Sequence, residues 1–220
     1  MYITLILLGV IMATIVWWLL RQTIGTQPWV SAAADDAVSG TSLDVSRKAV
    51  GLMTFLAVAT SVFGLFISAY TIRMEEPDWR PLTEPTLLWA NTAMLVLASI
   101  VYHWTRNAAV NGVEARIKPG LTIAGALTIL FLLGQFVAWQ QLNAAGFYVA
   151  NNPANGFFYL LTAVHGLHML GGLWVWASST IKVWTGAGSD SVRLSIELCT
   201  VYWHFLLLVW IVLFGMLLST

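Results

Sequence analysis

The sequence predicts an all-α integral membrane protein, and three observations carry that prediction. Of its 220 residues, 59% are apolar. Ten basic and ten acidic residues balance exactly to zero net charge, where soluble domains carry charge on about a quarter of their residues. Mean hydropathy is +0.79, more apolar surface than a soluble core of this size can enclose. The third observation is the arrangement of that apolar content in six runs, residues 3–20, 50–72, 86–104, 121–142, 157–181 and 198–218, none containing Lys, Arg, Asp or Glu. A spanning helix needs roughly 20 such residues. Membrane strands would show about ten residues of alternating polarity, and these runs are too long and too uniform for that. Six transmembrane helices are therefore expected.

Neutrality removes the basic footprint of a nucleic-acid-binding protein. A single cysteine, Cys199, excludes internal disulfides and cysteine-based zinc or iron–sulfur sites. The first run lacks the basic flank of a cleaved signal peptide, because Met1 to Thr4 precede it and the first cation, Arg21, follows it. Trp17 and Trp18 beside Arg21 have the character of an interfacial anchor, so a retained helix is expected. The 21–49 segment is the longest connection and is rich in Ser, Ala, Gly and Asp, which favours a solvated link. The resulting organisation is an N-terminal transmembrane helix (1–20), a cytoplasmic connecting segment (21–49) and a five-helix membrane domain (50–220).

Orientation follows from the cations. Arg21, Arg47, Lys48, Arg106, Arg116, Lys118, Lys182 and Arg193 fall in the first, third and fifth connections, whereas only Arg73 and Arg80 fall in the second, among Glu75, Glu76, Asp78 and Glu84. The positive-inside rule places the first set in the cytoplasm and both termini outside.

Polar residues within the runs are the informative ones, because burying them unpaired in lipid is costly. His165 and His168 share a face of the 157–181 helix, roughly 12–17 Å from its start, and His204 lies roughly 10 Å into the last helix. His168 and His204 are thus expected at similar depths on different helices, with Glu197 two turns before His204. Three readings of these histidines are open: interhelical hydrogen bonds, ligation of haem or a metal, and proton relay. His103, between Tyr102 and Trp104, reads as an interfacial belt residue. Gln135, Gln140 and Gln141 read as interhelical hydrogen-bonders, and Gly64, Gly125, Gly134, Gly166, Gly171 and Gly172 as sites where helices can approach closely. No run has a charge or a proline at its centre, which disfavours transport by this chain alone.

The stretch from Gly156 to Met169, with Phe157-Phe158, Leu161-Thr162 and His165-Gly166-Leu167-His168 and then Gly171-Gly172, resembles subunit III of haem–copper terminal oxidases. Glu197, Tyr202-Trp203-His204-Phe205 and Val209-Trp210 are similar to that family's final helix, and Gly134, Phe136, Gln140 and Gly146-Phe147 to the preceding segments. The resemblance covers about residue 50 to the C-terminus, five helices, and leaves the first helix and the long connection outside it. The chain departs from the family pattern at three carboxylate positions: apolar Val58 and Ala59 stand near an expected Glu, Asn143 replaces a Glu, and Leu207 replaces an Asp.

The resemblance implies a non-catalytic subunit with no cofactor of its own. It would pack beside catalytic subunit I, which holds haem and copper and reduces O2 to water with proton translocation, and near subunit II and other oxidase subunits. It also implies bound phospholipid and a bacterial cytoplasmic or equivalent energy-transducing membrane. His165, Gly166, His168, Glu197, Tyr202, Trp203, His204 and Gln140 would then be structural, interhelical residues. The alternatives are a subunit III-like accessory protein of a nitric oxide reductase system, a stand-alone b-haem protein using His168 and His204, and a plain lipid-embedded scaffold.

Overall fold

The computed structural model describes residues 47–82, 85–186 and 189–219. The expected helix at 3–20 and nearly all of the 21–49 segment lie outside the described residues. Every regular element among the described residues is an α-helix: α1 (Arg47–Arg73), α2 (Leu87–Val110), α3 (Glu114–Ala144), α4 (Pro153–Trp184) and α5 (Ser189–Leu218). All five are long and apolar enough to cross a membrane, which makes the chain an integral membrane protein.

The chain divides into two compact units, Met1–Ser68 and Ala69–Thr220. In the first, α1 satisfies its own hydroxyls. Thr54, Thr60 and Ser61 donate to the carbonyls of Val50, Leu56 and Ala57 at 3.0, 2.7 and 3.0 Å, the back-bond by which a polar side chain is tolerated in an apolar helix.

In the second unit, α2 packs against α3 and α5, and α4 packs against the same two helices, closing a four-helix ring. The connections are short enough to force neighbours antiparallel. Gly112 closes α2 at φ +68°, with the Val113 N–H bonded to the Ala108 carbonyl at 2.9 Å. Gly146 closes α3 in the same way at φ +86°, with the Phe147 N–H on the Leu142 carbonyl at 3.0 Å. Both are the six-to-one closure in which a left-handed residue ends a helix, and glycine adopts that conformation without steric cost.

The helices extend beyond the apolar runs that predict them. The connection expected over 105–120 contracts to a turn at Asn111–Val113, because nothing before Asn111-Gly112 breaks α2 and Glu114 opens α3. An acidic residue there suits the positive end of the helix dipole. Pro119 therefore sits inside α3, in its second turn. It removes the hydrogen bond that an N–H there would make to the Ala115 carbonyl, the ordinary cost of a proline beyond the first turn. Likewise α4 opens at Pro153 rather than 157, its first N–H groups capped by the Asn152 side chain, which accepts from the Ala154 N–H at 3.2 Å. The hydrocarbon length sets the apolar run, and the local stop signals set the helix.

Candidate functional site

The polar residues of the family-like motifs lie along α4 and α5. His165 is 1% exposed. Its Nε2–H donates across the interface to the Leu206 carbonyl at 3.1 Å, so the ring is fixed between helices. The imidazole lies 5.2 Å from the Trp210 ring and 5.8 Å from Phe131 on α3, and Phe131 meets Trp210 edge-on at 5.1 Å. Edge-to-face pairing aligns the positive ring edge with a negative face. Three helices thus converge on one aromatic node.

Each buried indole N–H in this ring finds an acceptor on another helix. Trp203 donates to Thr128 Oγ1 at 3.0 Å and Trp210 to Thr92 Oγ1 at 2.9 Å. Trp139 donates to Thr162 Oγ1 at 3.0 Å and Trp176 to the Leu121 carbonyl at 2.9 Å. The threonines can accept because their own hydroxyl protons go to carbonyls one turn back, as with Thr128 on Ala124 at 2.9 Å and Thr92 on Leu88 at 2.8 Å. Tyr202 completes the set, its hydroxyl donating to the His168 carbonyl at 2.8 Å. Thr92 and Thr128 carry no motif signal in the sequence, and Thr162 stands there only as part of Leu161-Thr162. The available signal was a tryptophan in mid-span, whose N–H requires an acceptor when buried.

Glycines make room for the rings. A Cβ on Gly172 would stand 2.6 Å from Tyr202 Cε1 and 2.9 Å from Trp203, and one on Gly125 would overlap the Trp176 ring. Gly134 lies under the Asn91 amide in the same way. Gly166, by contrast, has ordinary room for a methyl group, its nearest neighbour being Leu132 at 3.9 Å, and Gly171 has nothing within 4 Å.

Not all the expected residues converge. His204 does not lie opposite His168, because α5 presents Tyr202 to α4 and His204 to α2. There His204 Nδ1 is hydrogen-bonded to Ser99 Oγ, and its ring lies 5.8 Å from that of His103. His168 is half-buried and donates from Nδ1 to the Val164 carbonyl of its own helix at 2.8 Å. Glu197 is paired with Arg193, one turn back on α5, at 3.4 Å, and not with His204. Gln140 is exposed on α3. Gln135, one of the expected interhelical amides, is buried together with Asn91, and neither amide has a hydrogen-bond partner among the described residues. Asn143 accepts from the Tyr159 hydroxyl at 3.2 Å. Cys199 is fully buried. No cluster of three or more His, Cys, Asp or Glu able to hold a metal occurs among the described residues.

The two ends of the ring differ in charge. At the end of the α2–α3 and α4–α5 turns, Arg116 lies over Trp104 at 5.9 Å, Lys118 over Trp184 at 5.4 Å, and Lys182 donates to Ser195 at 3.0 Å. At the other end, the α1–α2 connection folds around Arg73, which holds Asp78 in a two-toothed pair at 2.7 and 2.5 Å. That hydrogen-bonded guanidinium keeps the Asp78 carboxyl below the usual carboxylate range. Nearby, the Asn152 side chain donates to the Arg80 carbonyl at 2.5 Å, tying this connection to the start of α4.

Comparison with known proteins gives one consistent result. The family description "Cytochrome c oxidase subunit III" matches residues 3–218, so the likeness begins well before residue 50, where the sequence reading places its start. A cytochrome c oxidase subunit 3 of Synechocystis sp. is 32% identical over 173 residues, covering 74% of this chain and 72% of that protein. One of Thermostichus vulcanus is 28% identical over 182 residues, covering 77% and 86% respectively.

Proposed function

This chain belongs to the cytochrome c oxidase subunit III family, and from that membership we infer that it serves as the helix-bundle subunit III of a haem–copper terminal oxidase. The observation that carries the reading is the use made of the motif side chains. His165, Tyr202, Trp203 and Trp210, four of the residues that carry the family likeness, donate hydrogen bonds from one helix to another. Side chains so engaged hold a bundle in register, as polar contacts do between helices in lipid. The role they support is a rigid companion to a catalytic subunit.

In this proposal the chain packs beside subunit I, with subunit II and other oxidase subunits in the same complex. The partners hold the haem and copper that reduce O2 to water with proton translocation, in a bacterial cytoplasmic or equivalent membrane. The end bearing Arg106, Arg116, Lys118, Lys182 and Arg193 faces the cytoplasm, in keeping with the positive-inside rule, and both termini lie outside. Residues 1–20 add one spanning helix, residues 21–49 connect it on the cytoplasmic side, and phospholipid occupies the bundle surface. The apolar side chains at Val58, Ala59 and Leu207, and the amide at Asn143, stand where the family pattern has carboxylates and speak against a proton-handling role for this subunit.

The deciding experiment is purification of the chain from its native membrane in mild detergent, with identification of co-purifying subunits, a reduced-minus-oxidised spectrum and O2 consumption. A haem–copper catalytic subunit with oxidase activity is the expected result. A nitric oxide reductase partner, or haem bound to the isolated chain, would overturn it.

A further inference from the structure

We propose that the seam between α2 and α5, centred on His103 and His204, docks against a transmembrane helix of the catalytic subunit that carries an acidic side chain opposite the two imidazoles. The proposal rests on the subunit III reading above and specifies the face and the chemistry of that association.

Both histidines are exposed on the outside of the ring, with ring centroids 5.8 Å apart and planes tilted by 35°. His204 is held by Ser99, and among the described residues His103 has no hydrogen-bond partner. Around them the seam is apolar, with Leu97 and Ile100 on α2 and Val201 and Leu208 on α5, all exposed.

His204 stands near the midpoint of α5, a helix of 30 residues. At 1.5 Å per residue roughly 20 Å of helix extends to either side, while the hydrocarbon layer is about 30 Å thick. Any placement of α5 that crosses the bilayer therefore puts His204 in the hydrocarbon. Ionisable side chains at that depth face a protein interior or a water-filled cavity, yet here one faces outward, beside a second imidazole. The outer faces of α3 and α4 behave differently. Ile129, Leu133 and Phe136 on α3, and Leu167, Leu170 and Trp174 on α4, are exposed side chains that suit lipid directly.

Charge fixes the complementary group. Arg106 lies one turn beyond His103 on α2, and the carboxylate on the same stretch of α5, Glu197, is already paired with Arg193. Arg106 is donor-only, and each imidazole can present an N–H outward, so a carboxylate or carboxylic acid on the partner suits the whole seam. The apolar rim would exclude water and lipid from that contact, as the surround of an interface anchor does.

The test uses the intact complex in its native membrane. A photo-crosslinking amino acid is placed at Ile100, at Val201 and, as the control face, at Trp174. Capture of the haem–copper catalytic subunit from Ile100 and Val201, several-fold above Trp174, is expected. The double variant His103→Phe/His204→Phe keeps ring volume and should lose most of the co-purifying catalytic subunit, while the isolated chain still folds and loses no more stability than Ser99→Ala, which removes the same internal bond. His204→Gln, which keeps a hydrogen-bonding head, should retain more of the complex than His204→Phe. Capture from Trp174 alone, with the oxidase complex intact, would overturn the docking face and leave the family role standing. Capture of residues 3–20 of the same chain from Ile100 would overturn it as well, by showing the seam covered internally. A purified complex holding no haem–copper subunit would overturn the subunit III reading itself.

Discussion

His165 and His204 come from adjacent motifs, yet their surroundings are opposite. His165 is buried among Trp210, Phe131 and the Leu206 carbonyl. His204 lies on the outer face of α5 beside Ser99 and His103. The first is a finished contact, with donor, acceptor and packing supplied by the chain itself. The second has one partner within the chain, Ser99, and an outward face that the proposed association would cover. A motif reports which residues are required, whereas the packing of neighbouring helices decides whether a residue serves its own fold or an association.

The comparison breaks first where the buried side is removed. Trp203→Ala deletes a fully buried ring, its bond to Thr128 and its contact with Tyr102 at 4.5 Å. A loss of about 3–5 kcal/mol is expected, the usual range for large aromatic truncations in a close-packed interior. Thermal or denaturant unfolding of the purified chain in detergent reads it. A loss well under that range would mean that the indole is not packed as described.

Two glycines sharpen the same contrast within α4. Gly172→Ala drives a methyl into Tyr202 and Trp203, with an expected cost of about 1–3 kcal/mol, typical of overpacking. Gly166→Ala has ordinary room and gains helix propensity, so it should be neutral or stabilising by up to about 1 kcal/mol. Equal effects at the two positions would refute the close approach at Gly172. A still smaller effect is expected from His165→Phe, which keeps a ring and loses one hydrogen bond, worth about 1 kcal/mol. It should lower the midpoint of the isolated chain, whereas His204→Phe, which loses only the part-buried bond to Ser99, should lower that midpoint no more than His165→Phe does and act mainly on the complex.

Much of this architecture was legible in the sequence because lipid imposes a simple grammar. Charge-free runs of sufficient length located all five described helices, and the glycines at 125, 134 and 172 do lie under neighbouring side chains. The helix ends were less legible, since they depend on stop signals such as Asn111-Gly112 and Asn152-Pro153 rather than on hydropathy. The facing of His204 was not legible either. Its rotation about α5 relative to Tyr202 depends on which helices flank α5, and residue spacing on a single helix cannot supply that. Glu197 illustrates the same limit: its spacing from His204 suggested a common face, but Arg193 is nearer and takes the carboxylate.

The smallest effect belongs to the region least like the core, the Arg73–Asp78 pair in the α1–α2 connection. Its geometry is two-toothed, but Asp78 is exposed and Arg73 only half-buried, and such pairs are weakened by screening and by the entropy of fixing two side chains. Because the folded carboxyl titrates below its ordinary range, its contribution is present above the unfolded value of about 3.9. It declines as pH falls through that value toward the lowered folded one. Asp78→Asn should therefore lower the unfolding midpoint slightly at neutral pH and low salt. The difference from the parent chain should shrink at high salt, and shrink again as pH falls below the unfolded carboxylate value. Trp203→Ala, which removes no charge, should show neither dependence. A difference at Asp78 that persists in high salt and acid would place that connection with the core rather than with the solvent-screened surface.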